Sequence, residues 1–203
     1  EMTSSLVGSE MCIRDRSMGP AAAKNFHDIL QTYEDLADQY GLWDAVSVIK
    51  EYGCSDDGFI DFRAWLIAQG KEVYMNALRD PDTLADIEPY GDCCFECLSY
   101  VGDYAYEQLT GRSAYDEMEP DRIEKLRDEL KKDIVYKDGI QYPREPKDLP
   151  RFLPRLCEKY GGPERFLAAP SAWNYDLHEI RRLLDEGKVQ DLSLIHISEP
   201  TRL

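Results

Sequence analysis

Residues 53–86 read GCSDDGFIDFRAWLIAQGKEVYMNALRDPDTLAD and carry the strongest helical signal in the chain. Over residues 59–78 apolar side chains recur every three or four positions, on more than one side of the predicted helix. A helix that is apolar on most faces is buried, so this segment predicts the central helix of an all-α domain. Gly70 interrupts the pattern, and it either lets a neighbouring backbone approach closely or breaks the helix in two.

Further helices are predicted on both sides of this segment, and no stretch alternates with the period of a strand. The proline-rich residues 137–150 are predicted to be irregular, with a short hairpin possible at Asp138-Gly139. Together these patterns predict a compact multi-helix fold. The other predicted helices cover residues 21–40, 42–52, 81–87, 93–109, 120–134, 149–160 and 173–186.

Both ends of the chain resemble translated sequencing adapter. Residues 1–16 read EMTSSLVGSEMCIRDR and residues 192–203 read LSLIHISEPTRL. A DNA sequence that encodes much of residues 1–16 also encodes most of residues 192–203 on its complementary strand. This DNA sequence resembles the adapter used in transposase-based library preparation. We therefore set both ends aside as parts of a metagenomic fragment. We expect residues 17–135 to form a helical domain and residues 136–191 a C-terminal helical extension packed on it.

The chain is strongly acidic, with 40 Asp and Glu against 24 Lys and Arg and a net charge of −16. This balance argues against nucleic acid as a partner, since phosphate contacts need clustered basic side chains. It also argues against anionic membrane surfaces, and no apolar run is long enough to cross a bilayer. An acidic surface aids solubility and favours a basic protein as partner.

Five cysteines remain outside the adapter segments, and their number and spacing do not resemble a secreted disulfide framework. We therefore expect a reducing, cytoplasmic location. Cys94 and Cys97 form a Cys-x-x-Cys motif that lacks the second ligand pair of a structural zinc site. They are predicted to pack as small hydrophobic side chains on one face of a helix, and neither a metal nor a cofactor is expected. The five are Cys54, Cys93, Cys94, Cys97 and Cys157.

The GCSDDG turn carries the candidate site. Ser55, Asp56 and Asp57 stand where a helix begins, and their oxygens can accept from its free N–H groups. Arg63 follows on a largely apolar helix, where a charge needs a carboxylate partner, and we expect this partner to be Asp56, Asp57 or Asp61. Such a pair is more often a structural link than an anion-binding pocket. The candidate ligand site consists of Asp56, Asp57, Asp61, Arg63, Trp65, Lys71 and Glu72.

The block Gly53–Asp57, followed by Phe62-Arg63, Trp65-Leu66-Ile67 and Gly70, resembles the family catalogued as domain of unknown function 4240. The likeness extends more weakly over residues 26–52 and 93–110, so that its core covers about residues 24–110. Where the family pattern tends to open with Phe-Trp, this chain has Phe26-His27, a departure that affects packing more than chemistry. The resemblance implies a compact, mainly helical bacterial domain and supplies no established activity.

Catalytic patterns are missing from the sequence, which has no nucleophile elbow, phosphate-binding glycine loop or dinucleotide fingerprint. Aligning Gly58 with the glycine of a calcium-binding EF-hand loop puts Gly53 and Ala64 where carboxylates are required, which excludes a calcium sensor. The leading hypothesis is a non-enzymatic, cytoplasmic interaction module for a basic protein. The alternative is an enzyme or a small-ligand or anion-binding protein. In it Asp56, Asp57 and Asp61 supply acid–base or metal-binding groups, Arg63 clamps an anion and Trp65 lines the pocket.

Overall fold

The computed structural model describes residues 19–51, 53–89 and 91–168. Within these ranges the chain forms α-helices and short 3-10 helices and no strand, which confirms the all-α prediction. The 3-10 helices are Pro81–Asp86, Gly91–Cys93 and Pro146–Asp148. The α-helices are α1 (Pro20–Leu36), α2 (Tyr40–Ile49), α3 (Asp56–Ala68), α4 (Lys71–Arg79), α5 (Glu96–Thr110), α6 (Pro120–Lys131), α7 (Leu149–Phe152), α8 (Pro154–Tyr160) and α9 (Pro163–Ala168).

Residues 19–165 belong to one compact unit, and a second unit begins at Phe166. The two adapter-like ends and the helix predicted at residues 173–186 lie outside the described residues, so the domain boundaries expected there stay predictions. None of the helices in the described ranges combines the length and the apolar character that crossing a bilayer would require.

The helix predicted for residues 59–78 is broken at Gly70 into α3 and α4. Gly70 has a φ of 94°, a left-handed conformation that ends one helix and starts the next. A Cβ atom at this position would meet nothing within 4 Å. Gly70 therefore allows the break between the two helices and is not required for the close approach of a neighbouring backbone. Helix α3 is the buried central helix, because Phe62 and Trp65 are at most 1% exposed and their rings stack at 5.7 Å.

Helix α1 is buried on two faces. Leu30 and Leu36 pack into the apolar interior, as the periodicity of the segment predicts. The opposite, polar face is also buried, because α5 and α6 cover it. Gly102 of α5 makes this close packing possible, since a Cβ atom at that position would lie 2.8 Å from the Cα atom of His27. The buried polar residues of α1 are Lys24, His27, Asp28, Thr32 and Glu34.

Residues 149–160 were predicted as one helix and form two, α7 and α8. The break falls at Leu153, because the ring of Pro154 disfavours helical backbone at the preceding residue. Asp82 then caps α8 from the 3-10 helix Pro81–Asp86. Its buried carboxylate accepts from the backbone N–H of Arg155 at 3.1 Å and of Leu156 at 2.9 Å.

The proline-rich segment is irregular, as predicted, but the prediction of a hairpin at Asp138-Gly139 is wrong. Gly139 adopts a left-handed φ of 76° in a turn without strand pairing. The carbonyl of Ile140 accepts from the N–H of Gly41 at 2.7 Å, and the N–H of Lys137 donates to Leu78 at 2.9 Å. Residues 137–140 thus dock against the start of α2 and the end of α4 and add Ile140 to the apolar core.

We predict that Gly102→Ala lowers the free energy of unfolding by about 1–3 kcal/mol, because the new methyl group collides with the backbone of His27 and forces α5 away from α1. Urea unfolding followed by circular dichroism measures this loss. Gln108→Ala, at an exposed position of the same helix, is the control, with a change of no more than about 0.5 kcal/mol. Equal stability of Gly102→Ala and wild type would show that the two helices do not pack this closely.

We predict that Asp82→Ala lowers the free energy of unfolding by roughly 2–3 kcal/mol, since two N–H groups at the start of α8 lose a charged acceptor. Asp82→Asn keeps an acceptor oxygen and should lose less. Both values come from urea unfolding under identical conditions. An Asp82→Ala protein as stable as wild type would rule out this cap.

Candidate functional site

The GCSDDG turn caps α3 as predicted. The Ser55 Oγ atom accepts from the N–H of Gly58 at 3.1 Å. Asp56 and Asp57 lie in the first turn with exposed side chains, where their charge favours the positive end of the helix dipole. The carbonyl of Cys54 accepts from Trp43 Nε1 at 3.2 Å, which fixes the turn to α2.

Arg63 does not pair with an aspartate of its own helix, so this prediction is wrong. Its Nη1 atom donates to the carbonyl of Glu34 at 3.2 Å and lies 3.4 Å from Asp38 Oδ2. The guanidinium lies 5.1 Å from the ring centroid of Phe59, one turn earlier, and this packing directs it toward the C-terminal end of α1. The last carbonyls of a helix lack partners within it and attract cations. Arg63 therefore links α3 to α1.

The other predicted site residues are spread over the molecule. Asp61 accepts from the Cys94 thiol at 3.2 Å, and Trp65 is a core residue that is 1% exposed. Lys71 is 75% exposed and lies 3.8 Å from Asp133, while Glu72 is exposed on the first turn of α4. The structure does not bring these side chains together with Arg63.

The packing predicted for the Cys-x-x-Cys motif is wrong, because Cys94 and Cys97 are both exposed. Helix α5 begins only at Glu96, so Cys94 precedes the helix. Of the three cysteines at positions 93, 94 and 97, it is Cys93 that is buried, with 1% exposure. Burial raises the pKa of the Cys93 thiol to about 11. Among the described residues no group of three or more His, Cys, Asp or Glu side chains could hold a metal ion.

Between α1 and α5 lies a buried layer of polar side chains that sequence reasoning missed. We call it the polar seam, and it consists of Lys24, His27, Asp28 and Glu34 from α1 with Ser99 and Asp103 from α5. Ser99 donates to Glu34 Oε1 at 2.6 Å, and Gln31 donates to the other oxygen at 3.1 Å. Burial raises the pKa of Glu34, and this rise is opposed by the Ser99 hydrogen bond and the positive charge of Arg63.

Two more carboxylates of the polar seam have partners. Asp28 accepts from Lys24 Nζ at 2.5 Å, and its second oxygen lies 3.4 Å from Arg122 of α6. Asp103 accepts from the hydroxyl of Ser113 at 2.8 Å and from the N–H of Ala114 at 2.6 Å. These contacts tie the loop after α5, and α6 itself, to the α1–α5 pair.

His27 lies at the centre of the polar seam and has no solvent exposure. Neither ring nitrogen has a hydrogen-bond partner among the residues that the structure describes. Burial lowers the pKa of His27 below its ordinary value of 6.5, so the ring is neutral at physiological pH. The ring of Tyr115 covers it edge-on, with 4.4 Å between the centroids.

Three exposed tyrosines lie on α5 and on the loop that follows it, and we call Tyr100, Tyr104 and Tyr115 the tyrosine face. They are 52%, 48% and 40% exposed, and Tyr100 and Tyr104 lie one turn apart on α5. The pKa of Tyr115 is raised to about 12 by burial and by the nearby charges of Glu34 and Asp103. The four-residue spacing of Tyr100 and Tyr104 in the sequence indicates that they share one face of a helix. Nothing in the sequence indicates that Tyr115 belongs with them.

Two larger cavities open elsewhere on the described surface. One of about 610 Å³ lies between the end of α1 and α6, where Asp35, Arg127 and Tyr136 contribute to its wall. The other, of about 590 Å³, is lined by the end of α2 and by Pro89, Asp92 and Cys93. None of the seven predicted site residues lines either cavity. Of these seven residues, Lys71 lines a third cavity, which is apolar, has a volume of about 160 Å³ and lies beside Tyr74.

We predict that Glu34→Gln removes a pH-dependent loss of stability. The pKa of Glu34 is raised above 4.5 in the folded protein, so its stabilising contribution is complete below pH 4.5 and is lost as the pH rises through the raised pKa. The stability difference between wild type and Glu34→Gln, measured by urea unfolding at several pH values, should follow this titration. Glu107→Gln, at an exposed position, should leave the profile unchanged. A difference that is constant with pH would contradict the burial of Glu34.

Residues 16–108 match the sequence model of a family described as protein of unknown function (DUF4240). Comparison with curated proteins and with solved structures gives no match. The matched residues contain α1 to α4 and nearly all of α5, and therefore both the GCSDDG turn and the polar seam. This match confirms the resemblance to the DUF4240 family of proteins of unknown function that residues 53–70 indicate.

Proposed function

We propose that the protein is a non-enzymatic interaction module that binds a basic partner protein through the tyrosine face. The observation that carries this proposal is the exposure of Tyr100, Tyr104 and Tyr115, each at least 40%. Tyr100 and Tyr104 lie one turn apart on α5, and Tyr115 lies on the loop that Asp103 fixes to the same helix. Tyrosine is enriched among the residues that dominate binding energy, because it buries a large rigid ring at a small cost in conformational entropy.

The charge around the tyrosine face favours a basic partner. Glu96 lies one turn before Tyr100, and Glu107 lies close to one turn after Tyr104, both with exposed side chains on α5. Aromatic rings next to carboxylates attract Arg and Lys through both cation–π and ionic contacts. The net charge of −16 adds a long-range attraction for a positively charged partner.

The polar seam supports this use of the surface. The ring of Tyr115 packs edge-on against the buried ring of His27, and this contact fixes the position of the Tyr115 ring. Asp103 fixes the loop that carries Tyr115 by accepting from Ser113 and Ala114. A preorganised aromatic surface loses less conformational entropy when it binds.

The alternative function, a ligand or catalytic site at the GCSDDG turn, has weaker support. Asp56 and Asp57 are exposed at the start of α3, and Arg63 points to the C-terminal end of α1. Trp65 is in the core and lines none of the described cavities. The side chains that this function requires therefore do not converge.

We predict that the double variant Tyr100→Ser/Tyr104→Ser weakens binding of the partner by roughly 100-fold or more, since each truncated ring at the centre of an interface costs about 2 kcal/mol. The partner is first captured with the wild-type protein and identified by quantitative mass spectrometry. Its affinity for each variant is then measured by calorimetry. Binding should also weaken as the salt concentration rises, because exposed charges are screened.

Tyr40→Ser/Tyr142→Ser is the matched control, since these tyrosines are 51% and 63% exposed at other places on the surface. The control pair should bind the partner as wild type does. If both pairs bind equally well, the tyrosine face is not the binding surface. If capture with the wild-type protein enriches no protein above a control without bait, the interaction function itself is contradicted.

A further inference from the structure

The cavity lined by the end of α2 and by Pro89, Asp92 and Cys93 has the size of a small-molecule site. Its volume is about 590 Å³, which lies within the range of ligand pockets. Its apolar wall is formed by half-buried Ile49 and Pro89 and by the buried thiol of Cys93. Lys50, Glu51 and Asp92 add charged groups to the same lining.

The backbone around this cavity is unusual. Glu51, Asp92 and Cys93 have φ values of 54°, 54° and 53°, in the left-handed region that L-residues rarely adopt. They are the non-glycine residues with positive φ in the described part of the chain, and all three line this one cavity. Strained residues of this kind persist where the surroundings hold them, and they concentrate at ligand sites.

Lys50 supplies the positive charge of the lining. Its side chain is half-buried, and no carboxylate of the described residues lies within ion-pairing distance of it. Among the described residues that line the cavity Lys50 is the basic one, and it forms no ion pair with Glu51 or Asp92. An anionic group of a ligand would provide the missing partner.

The two carboxylates supply the opposite charge at the rim. Glu51 and Asp92 are exposed, and neither forms an ion pair or side-chain hydrogen bond with another described residue. Cys93 stays a neutral, buried thiol and adds apolar surface. A complementary ligand carries an anion for Lys50, a short apolar body, and a cation for the rim.

We propose that this cavity binds a zwitterionic small molecule of the free α-amino acid class. The carboxylate of the ligand pairs with Lys50, its side chain packs on Ile49 and Pro89, and its ammonium group lies between Glu51 and Asp92. The site shares no residue with the tyrosine face and does not depend on the function proposed for it.

The test is a thermal unfolding screen of the full chain against the standard free amino acids, one at a time. A ligand that binds only the folded protein raises its Tm, by roughly 5–10 °C at about 100 times its Kd for a chain of this size. We expect at least one amino acid to produce such a shift. An alkyl carboxylate and an alkylamine of matched length should each produce a much smaller one, because each supplies a single charge.

Three variants locate the site. Lys50→Gln should abolish the shift and Glu51→Gln should raise the Kd by about 10-fold, while Lys71→Gln, outside the cavity, should behave as wild type. Unchanged circular dichroism of the variants without ligand shows that they fold. The proposal is overturned if no amino acid raises the Tm, or if the shift survives in Lys50→Gln. It is also overturned if the alkyl carboxylate alone reproduces the full shift.

Discussion

The approach of α5 to α1 at Gly102 is the contact on which the rest of the structure depends. Because glycine has no Cβ atom, the α5 backbone reaches the backbone of His27, and the space between the two helices is too narrow for a larger side chain. The polar face of α1 is thereby removed from water. Buried charges are tolerated only with partners, and the fold provides them, as Lys24 pairs with Asp28 and Ser99 donates to Glu34.

This burial also determines what the outer surface presents. With Leu98 and Ala105 turned inward, Tyr100 and Tyr104 project outward from α5, and Tyr115 is placed over His27. Inside the polar seam Asp28 and Glu34 have partners and His27 has no solvent exposure, so a ligand would reach these groups only if the helices separated. The tyrosine face is already exposed, and this difference is the reason why we propose that it binds a partner.

Local features of the sequence predicted local structure well. Ser55 caps α3 because the cap and its acceptor geometry involve four consecutive residues, and the break at Gly70 follows from a single φ angle. Partners distant in the chain were not predictable. The sequence predicts that Arg63 pairs with an aspartate of its own helix, yet its hydrogen-bond acceptor is the backbone carbonyl of Glu34, 29 residues away. Likewise, the helical period of α1 identifies a polar face but does not tell whether another helix covers it.

The most direct test of the buried polar seam is a pH titration of the His27 ring by nuclear magnetic resonance, with His27→Gln used to assign the signal. We predict a neutral imidazole with a pKa below 6.5, because the ring is enclosed and lacks hydrogen-bond partners among the described residues. A ring that titrates at 6.5 or above, as a solvated histidine does, would contradict it. In that case α5 would not cover α1, and the polar seam would be open to water.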